Sequence, residues 1–177
     1  MSLEAAAAVV VGAFGVLLWR WWLSGPDSCG AQLPPELRRA RLVYAERLFR
    51  SVGAVSITAK VDHVCRNAAG AMVLVELKTR TSNRVYQSDV IELSAQRVAL
   101  MGQIGEVVAD HGYVLTVRPD GFRMEWHWVK LMTHADVIGS ATRWRELLVG
   151  NVEPQSTRSP GMCRKCAFVH RCNPPSR

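Results

Sequence analysis

Residues 61–78 read VDHVCRNAAGAMVLVELK, and the way this stretch folds decides how the rest of the chain is read. It parses as two short strands joined by a turn. The first strand carries Asp62, and the second carries Glu76 and Lys78 two positions apart. In the second strand Ala71, Val73, Val75 and Leu77 alternate with Met72, Leu74, Glu76 and Lys78. A period of two therefore puts Glu76 and Lys78 on one face. Asn67-Ala68-Ala69-Gly70 supplies the turn, so the strands pair and bring Asp62 beside Glu76. Two carboxylates with the Leu77 carbonyl between them make an all-oxygen pocket suited to Mg²⁺ or Mn²⁺. A lysine beside such an ion can orient or deprotonate a water, or offset charge on a phosphate.

A plain salt-bridged hairpin is the better explanation of E-x-K when that tripeptide is taken alone. Its apolar neighbours weigh the other way, because Val-Leu-Val-Glu-Leu-Lys is a core-like strand in which unpaired charge is costly. With Asp62 upstream, the pattern resembles the PD-(D/E)XK nuclease superfamily, in its RecB-like, CRISPR-adaptation-type exonuclease branch. The resemblance implies an α/β fold, a restriction-endonuclease-like mixed β-sheet core flanked by helices. It also implies that Asp62 and Glu76, with Leu77, hold the metal while Lys78 assists the attacking water.

The chain has 177 residues, enough for one domain with a sizeable core. A formal net charge of +7 suits a polyanionic partner and would equally suit an anionic membrane surface. Five cysteines, three of them in the last fifteen positions, make poor disulfide arithmetic and good metal arithmetic.

Residues 5–23, AAAAVVVGAFGVLLWRWWL, are apolar but for Arg20. As a helix they span roughly 28 Å, which matches the hydrocarbon layer of a bilayer. A signal peptide fits less well, since Glu4 stands where a basic n-region belongs and three tryptophans follow. Residues 1–23 are thus expected to form an N-terminal transmembrane anchor. Basic residues follow the span and none precedes it, which puts the soluble part in the cytosol. Residues 24–35 form a linker holding Cys29. Residues 36–150 are expected to be the catalytic core, and 151–177 a cysteine-rich tail.

Within the core, residues 36–52 are expected to be a helix, with Leu37, Leu42, Val43, Leu48 and Phe49 along one side. The resemblance puts an acid near the metal on this helix, and Glu46 is the position that matches; a solvated helix glutamate is the equal alternative. The loop TRTSNRVYQ after Lys78 offers Arg80 and Arg84 as phosphate contacts. Residues 89–109 are expected to be a long helix. The resemblance implies a Q-x-x-x-Y pair on it, and this chain offers Glu92 with Gln96, or Gln96 with Leu100, without the tyrosine. Residues 113–117 and 122–129 read as a hairpin with Trp126 and Trp128 covering the core, and 134–149 as a final helix.

The tail MCRKCAFVHRC is a C-x2-C-x5-C array formed by Cys163, Cys166 and Cys172, whose spacing points to metal. Zinc would take His170 as fourth ligand. The resemblance instead implies a [4Fe–4S] cluster, with Cys29 as the distant fourth thiolate. Cys65 reads as a small buried residue. The expected function is metal-dependent hydrolysis of DNA, single-stranded or at ends, on a membrane-anchored chain. The alternatives are a nuclease-like module that binds nucleic acid without cutting, and a zinc-ribbon interaction protein in which E-x-K is accidental.

Overall fold

The computed structural model describes residues 34–119, 124–155 and 160–169. Cys29, His170, Cys172 and the apolar residues 5–23 lie outside these. Among the described residues no helix is long and apolar enough to cross a membrane.

The centre is a five-stranded mixed sheet of α/β type, ordered as in the sequence: β1 (Arg41–Arg50), β2 (Thr58–Arg66), β3 (Met72–Thr79), β4 (Val108–Val117) and β5 (Met124–Lys130). β3 and β4 run parallel and the other neighbours antiparallel. A parallel neighbour requires a crossover, and helix α1 (Gln87–Ile104) provides it. Asn67 makes the β2–β3 turn, its Oδ1 accepting the Ala69 and Ala71 amides at 3.1 and 3.0 Å.

Alternation sorts each strand between two apolar layers. Met72 and Leu74 pack under α1 with Leu93, Leu100 and Val114, while Val73 and Val75 face the other way, with Leu37, Cys65 and Tyr113. Gly112 is required where β4 meets β3, since a Cβ there would lie 2.9 Å from the Leu74 carbonyl oxygen.

Three expectations are corrected. Residues 36–52 are not a helix: after a single 3-10 turn (Pro35–Leu37) the chain enters β1, so Glu46 sits on an edge strand. The misleading spacing has a physical origin. The β1–β2 register slips between Leu42 and Tyr44, so Leu42 packs in one layer and Tyr44 and Phe49 in the other. A bulge turns the strand's face over and removes the alternation that identifies a strand. Second, the helix expected through residue 109 stops at Ile104, because Gly105 adopts φ 69° and its amide caps the Met101 carbonyl at 2.9 Å. Val108 then belongs to β4. Third, Trp126 does cover the outer layer, but Trp128 is 56% exposed and stacks on His111 at 5.6 Å.

By compactness the chain divides at Val137/Ile138. Helix α2 (His134–Leu148) spans that boundary, starting from a Thr133–Asp136 cap in which Thr133 Oγ1 donates to Asp136 Oδ2 at 2.6 Å. The last helix among the described residues of the second unit is the short α3 (Pro160–Cys163).

Candidate active site

β2 and β3 exchange ladder contacts from Arg66–Met72 to His63–Val75 and then part. Asp62 is the next residue on β2, and its Oδ2 accepts the Leu77 amide at 2.9 Å. A side-chain carboxylate thus replaces a strand partner beside Glu76.

Glu76 is 3% exposed and both its oxygens are engaged. Oε1 lies 2.6 Å from Lys78 Nζ, and Oε2 accepts Gln96 Nε2 at 2.6 Å. Burial pushes its carboxyl up from the ordinary 4.5; the bonds from Lys78 and Gln96 oppose this, and the charges of Asp62 and Glu92 add to it. Lys78 Nζ also donates to Glu92 Oε2 at 2.7 Å. Burial pulls the Lys78 ammonium down, but its two carboxylates outweigh that and hold it above the ordinary 10.5. Glu92 and Gln96 stand one turn apart on α1, so one helix face reaches both members of E-x-K. Gln96 is 1% exposed, and among the described residues its Oε1 accepts no hydrogen bond.

The structure therefore gathers Asp62, Glu76, Lys78, Glu92 and Gln96. Glu46 is not part of that group. It stands across from Asp62 in the β1–β2 register, between the Ala45–His63 and Arg47–Val61 pairs. Its carboxylate is exposed and paired with Lys60, an arrangement that holds it below the ordinary carboxylate range. Its φ of 51° is the positive-φ conformation at a non-glycine residue on that strand.

A second polar group lies alongside, which sequence reasoning missed. Lys78 registers with Thr116 on β4, and Thr116 with Glu125 on β5. Asn83, from the loop after β3, accepts Thr116 Oγ1 at 2.6 Å on its Oδ1, lies 2.9 Å from His127 Nε2, and donates to Glu125 Oε2. The same loop packs Tyr86 against the guanidinium groups of Arg80 and Arg84, at 5.0 and 4.8 Å. Arg80 also pairs with the buried Asp89 at 2.9 Å, so Arg80 is a structural brace as well as a candidate substrate contact. Arg80, Asn83, Thr116, Arg118 and Glu125 line a small open pocket. No motif marks these positions; only the strand register unites them.

In the tail, the Cys166 amide donates to the Cys163 carbonyl at 3.1 Å, closing a turn that draws the C-x2-C pair together. Cys65 is fully buried, in keeping with its reading as a small buried residue, and is in addition disulfide-bonded. Among the described residues no three His, Cys, Asp or Glu side chains are gathered closely enough to hold a metal ion.

No protein-family model matches this chain, and no curated protein does. Among solved structures it is similar to the crystal structure of SSO0001, with a TM-score of 0.48 and 18% identity over 95% of this chain and 71% of that one.

Proposed function

We propose that this chain is a metal-dependent DNA nuclease of the PD-(D/E)XK superfamily, from the RecB-like branch, with a restriction-endonuclease-like core. The observation that carries the reading is the convergence of Asp62, Glu76 and Lys78 where β2 and β3 part, with Gln96 fixing Glu76 and Glu92 fixing Lys78. A chance E-x-K on an exposed strand would not bury its glutamate or meet two polar side chains from one helix.

The donor set fits a hard cation. Asp62 and Glu76, with the Leu77 carbonyl, would hold Mg²⁺ or Mn²⁺, ions that accept carboxylate and carbonyl oxygens and keep waters on their other positions. Bound there, the ion would supply Lewis-acid polarisation of the phosphate and a more acidic water. The chain's own groups do the rest. Lys78 presents a fixed positive charge that offsets developing phosphate charge and orients the attacking water. Gln96 holds the Glu76 carboxylate in one orientation. Arg84 and the pocket beside Thr116 offer contacts to the rest of a strand.

A second reading, a module that binds nucleic acid without cutting, is favoured by Leu100. With Gln96 matched to the glutamine of Q-x-x-x-Y, the tyrosine position is a fully buried core leucine; with Glu92 and Gln96 matched to the pair, the tyrosine is missing as well. The experiment that separates the two readings is incubation with end-labelled single- and double-stranded DNA, in Mg²⁺ and in Mn²⁺. The nuclease reading expects cleavage that Glu76→Gln abolishes. Binding without cleavage under every condition would establish the second reading.

For the tail we propose a [4Fe–4S] cluster on Cys29, Cys163, Cys166 and Cys172, with zinc on the three tail cysteines and His170 as the alternative. The C-x2-C turn supports metal of either kind. Five cysteines less the two of a disulfide leave three, so a four-thiolate cluster belongs to the chain with Cys65 reduced. Residues 1–23 are proposed as a single membrane anchor, with the rest in the cytosol.

A further inference from the structure

We infer that Glu92 is a positioning residue that lets the site accept a divalent cation, by taking over the Lys78 ammonium when Glu76 engages the ion. The inference rests on the ion site proposed above. Glu76 has two oxygens and three claims on them. Gln96 Nε2 occupies Oε2 at 2.6 Å, and Lys78 Nζ occupies Oε1 at 2.6 Å. A divalent cation arriving at Glu76 therefore contests Oε1 with an ammonium, and two cations on one carboxylate oxygen repel each other strongly.

Glu92 resolves the contest. Its Oε2 already accepts Lys78 Nζ at 2.7 Å, from α1 rather than from the sheet. A small swing of the lysine keeps one charge-assisted bond while releasing Oε1, so the ammonium, in a side chain only 25% exposed, is never left unpaired. Without Glu92, Lys78 would depend on Glu76 alone and would compete with the ion at full strength. An ordinary surface ion pair is the bland interpretation of Lys78–Glu92, since Glu92 is 47% exposed. What sets this pair apart is that the lysine's other partner is the buried Glu76.

The test is Mn²⁺ binding to the full chain without nucleic acid, followed by the loss of the free-ion paramagnetic resonance signal. The site's share is the part removed by Glu76→Gln. Glu92→Gln is expected to weaken that binding by about two- to fivefold, Glu92→Asp to restore part of it, and Lys78→Met to tighten it. In the Lys78→Met background, Glu92→Gln should change little, because the lysine it serves is gone. Equal weakening in both backgrounds would mean that Glu92 merely attracts the ion, and would overturn the inference, as would no effect of Glu92→Gln on the wild type. Absence of any Mn²⁺ binding removed by Glu76→Gln overturns both this inference and the ion site. If the coupling is found but DNA is not cut, the nuclease reading falls and the inference stands.

Discussion

Asp62 Oδ2 accepts the Leu77 amide at 2.9 Å, immediately past the last ladder pair between β2 and β3. One carboxylate oxygen thus closes the strand pair and leaves the other beside Glu76. The main chain positions the site's first acid, so its placement does not depend on a flexible side-chain contact.

Glu76 should be a stability liability as well as a functional group. Burial raises its carboxyl above 4.5, so its stabilising contribution is fully present below that value and is lost as pH rises through the raised folded value. With a chelator present, Glu76→Gln is expected to become more stable relative to wild type as pH rises above 4.5. Glu76→Ala, which strands Gln96 Nε2 and removes a partner of Lys78, should lose about 1–3 kcal/mol at neutral pH. Urea unfolding across pH checks both, and a pH-independent difference for Glu76→Gln would contradict the first.

Gly102 lies on α1 against the buried Ser51. A Cβ added at 102 would meet Ser51 Cβ at 2.5 Å and Cα at 2.9 Å. Gly102→Ala gains helix propensity worth about 1 kcal/mol but overpacks a backbone contact, which typically costs about 1–3 kcal/mol. A net fall in Tm is expected; a rise would mean that α1 and residue 51 separate easily.

Asn83→Ala should release the loop after β3 from Thr116, His127 and Glu125 while leaving Lys78 and Glu76 paired. Binding of a fluorescent oligonucleotide, measured in chelator, is expected to weaken several-fold, with the secondary structure unchanged by circular dichroism. Unchanged binding would show that this loop does not face the substrate.

Tyr113 O–H donates to Glu36 Oε2 at 2.6 Å and ties the segment before β1 to the outer layer. Burial, then the bond to Glu36, pushes the phenol up to about 12 from 10.0. The same bond is the main cause holding Glu36 below 4.5. Tyr113 therefore contributes stability below pH 10 that is lost as pH rises through about 12. The Glu36 contribution is present above 4.5 and is lost as pH falls through its lowered value. Tyr113→Phe should cost about 0.5–1.5 kcal/mol between those limits, narrowing outside them, as read by unfolding at several pH values.

Cys29→Ser should bleach the visible absorption of an iron–sulfur chain purified under reducing conditions, and Cys65→Ser should not. A colourless protein carrying zinc, in which Cys29 is dispensable, would replace the cluster with the Cys163, Cys166, Cys172 and His170 site.

Local order was legible wherever neighbours in sequence are neighbours in space. The alternation of Met72, Leu74, Glu76 and Lys78, the Asn67 turn and the apolar face of α1 are short-range patterns, and the structure repeats them. Asp62 and E-x-K were visible for the same reason, since a tight turn joins their strands. Glu46 and β1 were misread because a bulge and a positive-φ residue break the period of two, and because β2, which makes residues 41–50 a strand, begins only at Thr58. Asn83, Thr116, Glu125 and His127 left no sequence signal at all. They meet only because β4 lies parallel to β3 and β5 folds back on β4, a choice made by burying the two apolar layers across the whole sheet. Side-chain chemistry was thus set residue by residue, whereas the company each group keeps was decided by long-range strand pairing.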